Sequence, residues 1–415
     1  MLVQFLIENF LSFGDGFALD LRAETTDAAF SGASTDALML LPDGMFAYPG
    51  ALVLGEPGAG KTNLLRALAF ARKRLLHGAK AFSGPLPICR WRSPLRDTTR
   101  FAWELLLDGA LYRYTCSFSP EQIEQERLSL VRGQGPDAEH EVFSRSRKNP
   151  ILALTDVRIG PGAASQKEAW ERLALTASPQ ELLLTLALRE GLPLVENIGI
   201  FWGQRLQLVY QDLSTNGLAA RLARHPELGG ILTALLCKAG LSAEWVSVRK
   251  TPIGPDFFSD EDEQRQVVNA LLAYPDAFVA TPDGELIAER EGSMVDLFLV
   301  SLDVGLGRQP GQAVGFAVSE LPETALRLLH VAPLLFSDPH APSPCFVVDD
   351  LLRALPTNAA KEIVRSVQNR CPSQLVLTSE PSRAEAADPS RPVGFSGQKL
   401  VYLKNEASVL KNAAS

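Results

Sequence analysis

Gly55-Glu56-Pro57-Gly58-Ala59-Gly60-Lys61-Thr62 is a complete G-x-x-x-x-G-K-[ST] sequence. The apolar run Ala51-Leu52-Val53-Leu54 precedes it, and Asn63-Leu64-Leu65-Arg66 opens a helix-like segment behind it. A phosphate-binding loop needs this setting, because a strand must deliver the loop and a helix must leave it. Its glycines let backbone N–H groups turn inward around phosphates, and the start of the helix adds partial positive charge. The reading assigns the triphosphate to Gly55, Glu56, Pro57, Gly58, Ala59, Gly60, Lys61, Thr62 and Asn63. Lys61 would reach the β- and γ-phosphates, and the Thr62 hydroxyl would ligate magnesium.

The rest of the composition is that of an ordinary globular chain. Its 415 residues are enough for two or three domains, with 46% hydrophobic and 21% charged residues. A net charge of −8 argues against a surface that coats nucleic acid in general, leaving a local basic patch as the alternative. No apolar run reaches the roughly 20 residues of a membrane helix, so no membrane partner is expected. The opening Met1-Leu2-Val3-Gln4-Phe5 has no basic region or cleavage site of a secretory signal. Five cysteines (Cys89, Cys116, Cys237, Cys345, Cys371) without a C-x-x-C pair fit free thiols in a reducing cytoplasm. The scattered histidines suggest no zinc site.

Alternation predicts strands at Val3-Phe5-Ile7 and Phe17-Leu19-Leu21 around a Gly14-Asp15-Gly16 turn. Leu64, Ala67, Leu68, Ala71 and Leu75 recur at helical spacing, and Gly78 supplies a stop. Asp108-Gly109 between the runs 101–107 and 110–114 predicts a tight hairpin. The middle third reads as mainly helical (166–189 and 218–238), with a short strand at 245–248. From about residue 298 the pattern turns α/β again: a helix over 324–335, the strand Cys345-Phe346-Val347-Val348, a helix over 358–370, and strands at 374–378 and 400–403. Short apolar strands between helices predict a sheet buried on both faces. The expected fold class is α/β, with one nucleotide-binding head built from residues 1–135 and 298–415 and a mainly helical lobe, 136–297, inserted between them.

A phosphate loop needs an acidic partner at the end of a buried strand. Asp349, after Val347-Val348, is the candidate magnesium ligand, and Asp350 the candidate carboxylate that polarises the attacking water. Lys61, Asp349 and Asp350 thus form the expected catalytic set. The wide separation of Lys61 from Asp349 in the chain favours a head with a large insertion.

Leu6-Ile7-Glu8-Asn9-Phe10-Leu11-Ser12-Phe13 resembles the opening of ABC-like bacterial AAA-family ATPases, relatives of SMC and RecF heads. The resemblance continues through Asn63–Leu68, the hairpin Leu107–Tyr114, Pro333-Leu334-Leu335, Asp349-Asp350 and the closing strands. It implies a P-loop NTPase head of ABC/SMC type that dimerises around ATP with magnesium. In many members such heads serve phage defence beside a nuclease effector. The effector is expected on a separate polypeptide, since the chain ends soon after its last strand. Only the resemblance selects ATP over GTP.

Departures from the family pattern imply slow turnover. Asp350 replaces the usual glutamate, and Glu380 follows Thr378-Ser379 where a histidine is usual. Ser319-Glu320-Leu321-Pro322-Glu323-Thr324 lacks the signature glycine, and Leu352–Pro356 lacks the polar members of its loop. Two alternatives stay open, a scaffold that holds ATP without hydrolysing it and a RecF- or SMC-like DNA-maintenance ATPase. Arg90-Trp91-Arg92 and Arg145-Ser146-Arg147-Lys148 are the candidate DNA contacts, against an ordinary surface role. The acidic run Asp256–Glu263 reads as an exposed acidic loop or a helix start, against a metal site, since no glycine-containing calcium-loop pattern accompanies it.

Overall fold

The computed structural model describes residues 1–23, 38–78, 85–91, 97–135, 138–149, 154–210, 217–272, 277–292, 294–307, 309, 311–332, 344–350, 374–381 and 399–403. Pro333-Leu334-Leu335, Leu352–Pro356, the helix expected over 358–370, Arg92 and Cys371 lie outside them. Two compact units form. One takes Met1–Leu208, Pro339–Asp350 and Pro372–Ser415, the other Val209–Asp338 and Leu351–Cys371.

The first unit begins with β1 (Leu2–Glu8), β2 (Phe17–Asp20), the short hairpin β3 (Met39–Leu40) and β4 (Phe46–Ala47), then β5 (Gly50–Leu54) and α1 (Lys61–His77). A meander follows through β6 (Thr99–Leu107), β7 (Ala110–Phe118), β8 (Ile123–Val131), β9 (Glu139–Asn149) and β10 (Leu154–Ile159). Next come α2 (Lys167–Thr176), α3 (Leu183–Arg189), α4 (Glu196–Ile200), a π-helical turn over Phe201–Arg205 and β11 (Leu206–Val209). The second unit holds α5 (Leu218–Arg224), α6 (Leu228–Lys238), β12 (Ala243–Pro252), α7 (Glu261–Leu272), β13 (Val279–Thr281), β14 (Gly284–Glu291), β15 (Met294–Leu306), β16 (Val314–Ala317) and α8 (Glu323–Val331). The chain returns to the first unit with β17 (Cys345–Val348), β18 (Gln374–Ser379) and β19 (Lys399–Tyr402).

Two sheets organise the first unit. An antiparallel seven-stranded sheet runs β10-β9-β8-β7-β6-β1-β2, and a five-stranded one runs β11-β17-β18-β5-β19. In the second, β17 pairs β18, β18 pairs β5 and β19 pairs β5, all in parallel. β5, β17 and β18 are buried at every position, as continuous apolar strands covered on both faces should be. The turn at Asp108 (φ 47°) and Gly109 (φ 74°) is left-handed at both residues, the geometry that joins β6 to β7 without splaying them. Phe70 of α1 stacks on Phe101 of β6 (5.9 Å) and Phe118 of β7 (6.2 Å), so the helix behind the phosphate loop is anchored on the large sheet.

The long helical stretches break where prolines stand. α2 ends at Thr176 ahead of Pro179, and α5 ends before His225-Pro226, where His225 has left the helical region (φ −129°, ψ 72°). Proline excludes the helical conformation from the residue before it and removes a donor. Two buried glutamates help start helices, α3 in the first unit and α5 in the second. Glu126 of β8 accepts the N–H groups of Leu183 (2.8 Å) and Leu184 (3.0 Å) and the Tyr114 hydroxyl (3.0 Å). In the second unit Glu285 accepts those of Gly217 and Ala220, each at 2.8 Å. Each carboxylate satisfies amides that a helix start leaves without intrahelical partners.

The units do not divide where the sequence suggested. A boundary at 135/136 would cut the large sheet between β8 and β9, which pair from Gln125↔Ser146 to Val131↔Glu139. A boundary at 297/298 would fall inside β15, paired along its length with β12 and β14. The second unit therefore carries an antiparallel sheet, ordered β12-β15-β14-β13 with β16 on β15, beside its helices. The acidic run 256–263 does lead into a helix start, with Asp260 accepting the N–H of Glu263 at 2.7 Å.

Glu126→Ala should cost about 3 kcal/mol in denaturant unfolding, because three buried donors lose their acceptor. Burial also raises the Glu126 carboxyl above its usual value of 4.5, against the pull of the Leu184 and Leu183 amides and Arg145. A carboxyl raised in the folded state contributes stability that is full below its unfolded value and is lost as the pH rises through its folded one. The unfolding free energy of wild type minus that of Glu126→Gln should therefore fall as the pH rises above 4.5. A difference that does not change with pH would contradict this.

Candidate nucleotide site

β5 runs into the loop at the carboxyl edge of the parallel sheet, the edge at which open α/β sheets bind ligands. Glu56, Pro57 and Gly58 are exposed, whereas Ala59 is buried and donates its N–H to the Glu56 carbonyl at 3.0 Å. The loop enters α1 through Gly60 at φ 99°, ψ 14°. α1 has no side-chain cap and no acidic residue in its first turn. Its leading amides therefore have no capping side chain as a built-in acceptor, which suits an anion. Gly58, Gly60, Lys61, Thr62 and Asn63 line a cavity of about 210 Å³. The Lys61 ammonium curls over the loop and donates to the carbonyls of Gly55 (2.6 Å) and Glu56 (3.2 Å).

Asp349 stands directly after β17 and is 1% exposed. It accepts the Thr62 hydroxyl at Oδ2 (2.8 Å), although the two residues lie 287 positions apart. Its other oxygen, Oδ1, accepts the hydroxyl of Thr378 at 3.1 Å. The Asp350 N–H donates to that same Thr378 oxygen at 2.8 Å. The structure thus brings Lys61, Thr62 and Asp349 together. Asp350 follows in a left-handed conformation (φ 46°) and, at 6% exposed, is packed in protein like its neighbour. The glycine-free stretch at 319–324 belongs to the second unit, where Glu320 accepts the N–H of Ala317 at 2.8 Å and α8 starts behind Pro322.

Two residues of this neighbourhood were not singled out from the sequence. One is Thr378, a hydroxyl at the carboxyl end of a buried parallel strand, and that position is the signal that marks it. The other is Ser12, whose hydroxyl accepts the Asn63 amide at 3.0 Å. Ser12 sits in the Glu8–Phe13 stretch, where Asn9 (φ 54°) and Leu11 (φ 50°) are left-handed. Fully buried Asn9 holds this turn: its side chain donates to the Thr98 carbonyl (3.0 Å) and accepts the Cys89 N–H (3.3 Å), and its carbonyl accepts the Thr99 hydroxyl (2.9 Å).

Other candidate groups are committed elsewhere. Arg145 is 3% exposed and donates to the carbonyls of Glu181 (2.7 Å) and Ser178 (2.9 Å), while Arg147 pairs with Glu124 at 3.2 Å. Neither is a ready phosphate contact, although Arg90 and Trp91 are exposed. Burial pushes the thiols of Cys116 and Cys345 up to about 12, so neither is a nucleophile near neutrality. Among the described residues, no group of three or more His, Cys, Asp or Glu side chains could hold a metal by itself, and no helix is long and apolar enough to cross a membrane.

Gly60 sets a clear mutational limit. A Cβ there would stand 2.6 Å from the Ser12 hydroxyl, at a φ that side-chain-bearing residues avoid. Gly60→Ala should lower stability by about 1–2 kcal/mol from backbone strain. A Ser12→Ala background should recover only part of that loss in thermal or denaturant unfolding, because it removes the contact and leaves the strain.

No protein-family model matches the chain, and no curated protein does. Solved structures similar to it include SMC head domains. A head bound to the C-winged helix domain of ScpA is 12% identical, with 93% of this chain and 92% of that chain covered and a TM-score of 0.44. The SMC head domain from Thermotoga maritima is 10% identical over 94% and 96%, with a TM-score of 0.35. An SMC head with an extended coiled coil, bound to the C-terminal domain of ScpA derived from Pyrococcus furiosus, is 10% identical over 100% and 99%, with a TM-score of 0.39.

Proposed function

We propose that the first unit binds ATP with magnesium and works as an ABC-like ATPase head, a nucleotide-dependent switch or scaffold with slow hydrolysis. One observation carries the reading: the Thr62 hydroxyl and the Asp349 carboxylate meet at 2.8 Å beside an uncapped phosphate-loop helix. A hydroxyl and a carboxylate are hard oxygen donors. They suit magnesium, which commonly takes only one or two protein ligands and fills its shell with water and phosphate oxygens. Thr62 and Asp349 would hold the ion, which when bound neutralises phosphate charge. The amides from Gly58 to Asn63 would cradle the phosphates, and Lys61 would turn from its loop carbonyls to the β- and γ-phosphates.

The acidic pair supports the reading of weak turnover. Water activation needs a carboxylate within hydrogen-bond reach of the attacking water, and Asp350 is short and packed in protein. That observation favours the second reading, a scaffold that holds ATP without turning it over. Pairing of two heads around ATP, a separate nuclease-like effector and a role in anti-phage defence rest on the resemblance at 6–13, 55–68, 107–114 and 349–350. DNA as a partner has less support, since Arg145 and Arg147 are engaged.

Calorimetry should show ATP binding by wild type and its loss in Lys61→Ala, with both proteins folded. Wild-type phosphate release should stay far below about ten per second yet exceed that of Lys61→Ala. Equal background release with intact binding selects the scaffold, whereas no nucleotide binding by wild type overturns the reading.

A further inference from the structure

We propose that Thr378 is the positioning residue of this site, fixing the Asp349 carboxylate so that one oxygen faces Thr62. The inference rests on the nucleotide reading above and assigns a role to a side chain outside the phosphate loop and the acidic pair. Thr378 is wholly buried at the penultimate position of β18. This strand lies between β5, which delivers the loop, and β17, which delivers Asp349.

A threonine hydroxyl has one proton to give and lone pairs to receive. Here the Asp350 N–H occupies a lone pair at 2.8 Å, which leaves the proton to Asp349 Oδ1 at 3.1 Å. A β-branched side chain has restricted χ1 freedom, so the hydroxyl does not wander. With Oδ1 tethered, the carboxylate plane is set and Oδ2 is aimed at Thr62, 2.8 Å away. One hydroxyl thus fixes both the rotation of the acidic side chain and the backbone turn that follows it. A carboxylate held by such an outer partner binds a cation with less reorganisation than one free to rotate.

The test is binding of a fluorescent ATP analogue, titrated with magnesium and repeated in EDTA. Thr378→Val keeps the shape and removes the hydroxyl. It should raise the magnesium concentration for half-maximal effect about tenfold while leaving binding in EDTA unchanged. Thr378→Ser should retain the wild-type magnesium dependence. In an Asp349→Asn background, Thr378→Val should add nothing, because it acts through Asp349. If Thr378→Val does not fold, Thr378→Ala is read in the same way. A folded hydroxyl-free variant with wild-type magnesium dependence overturns the inference, as does Thr378→Ser behaving like Thr378→Val. When Lys61→Ala has lost nucleotide, either result overturns this inference alone. A wild type that binds no ATP analogue, with or without magnesium, overturns the nucleotide reading and this inference together.

Discussion

The parallel pairing of β18 with β5 on one side and β17 on the other is the constraint on which the site depends. Register sets Val348 opposite Leu377 and Leu54 opposite Ser379. The carboxyl ends of the three strands therefore finish at nearly one level. Thr62, Asp349 and Thr378 are brought within hydrogen-bond reach by backbone ladders rather than by any local sequence preference. A slip of one residue would turn every side chain of a strand to the opposite face, and Asp349 would lose both hydroxyls at once.

That dependence explains what the sequence discloses and what it hides. The phosphate loop, the Asp108-Gly109 hairpin and the apolar strand ahead of Asp349 are local patterns, each carried by neighbouring residues, and all are legible in the sequence. Thr378 and Ser12 are not, because their partners lie far along the chain and neither residue type is unusual where it stands. The helical stretches at 166–189 and 218–238 were legible in kind, yet Pro179 and Pro226 break them. The unit boundaries were the least visible. β9 carries polar residues at many positions and resembles a surface segment until its pairing with β8 is known.

One helix start in each unit, α3 in the first and α5 in the second, is satisfied in the same way, by a buried glutamate reaching from a strand rather than by a residue of the helix. In the first unit this ties the meander to the segment beside α1, where the Thr185 hydroxyl donates to the Leu75 carbonyl at 2.8 Å and Arg189 pairs with Glu181 at 2.6 Å. The far end of the phosphate-loop helix is thereby held by polar contacts, and its middle by aromatic packing. Its leading turn holds no acidic residue of its own and no capping side chain, a division of labour that suits an anion at one end and a rigid scaffold at the other.

The turn at Glu8–Phe13 extends the site well beyond its own residues. Its left-handed Asn9 and Leu11 are held by Thr98, Thr99, Cys89 and Pro87, the last accepting the Leu11 N–H at 2.8 Å. Ser12, at the tip of that turn, leans on Gly60 and Asn63. In a random-mutagenesis screen, then, lesions at Thr99 or Asn9, whose side chains hold the turn, would score with those of the loop itself. A map of sensitive positions drawn without the coordinates would enlarge the apparent pocket to include residues that never approach its contents.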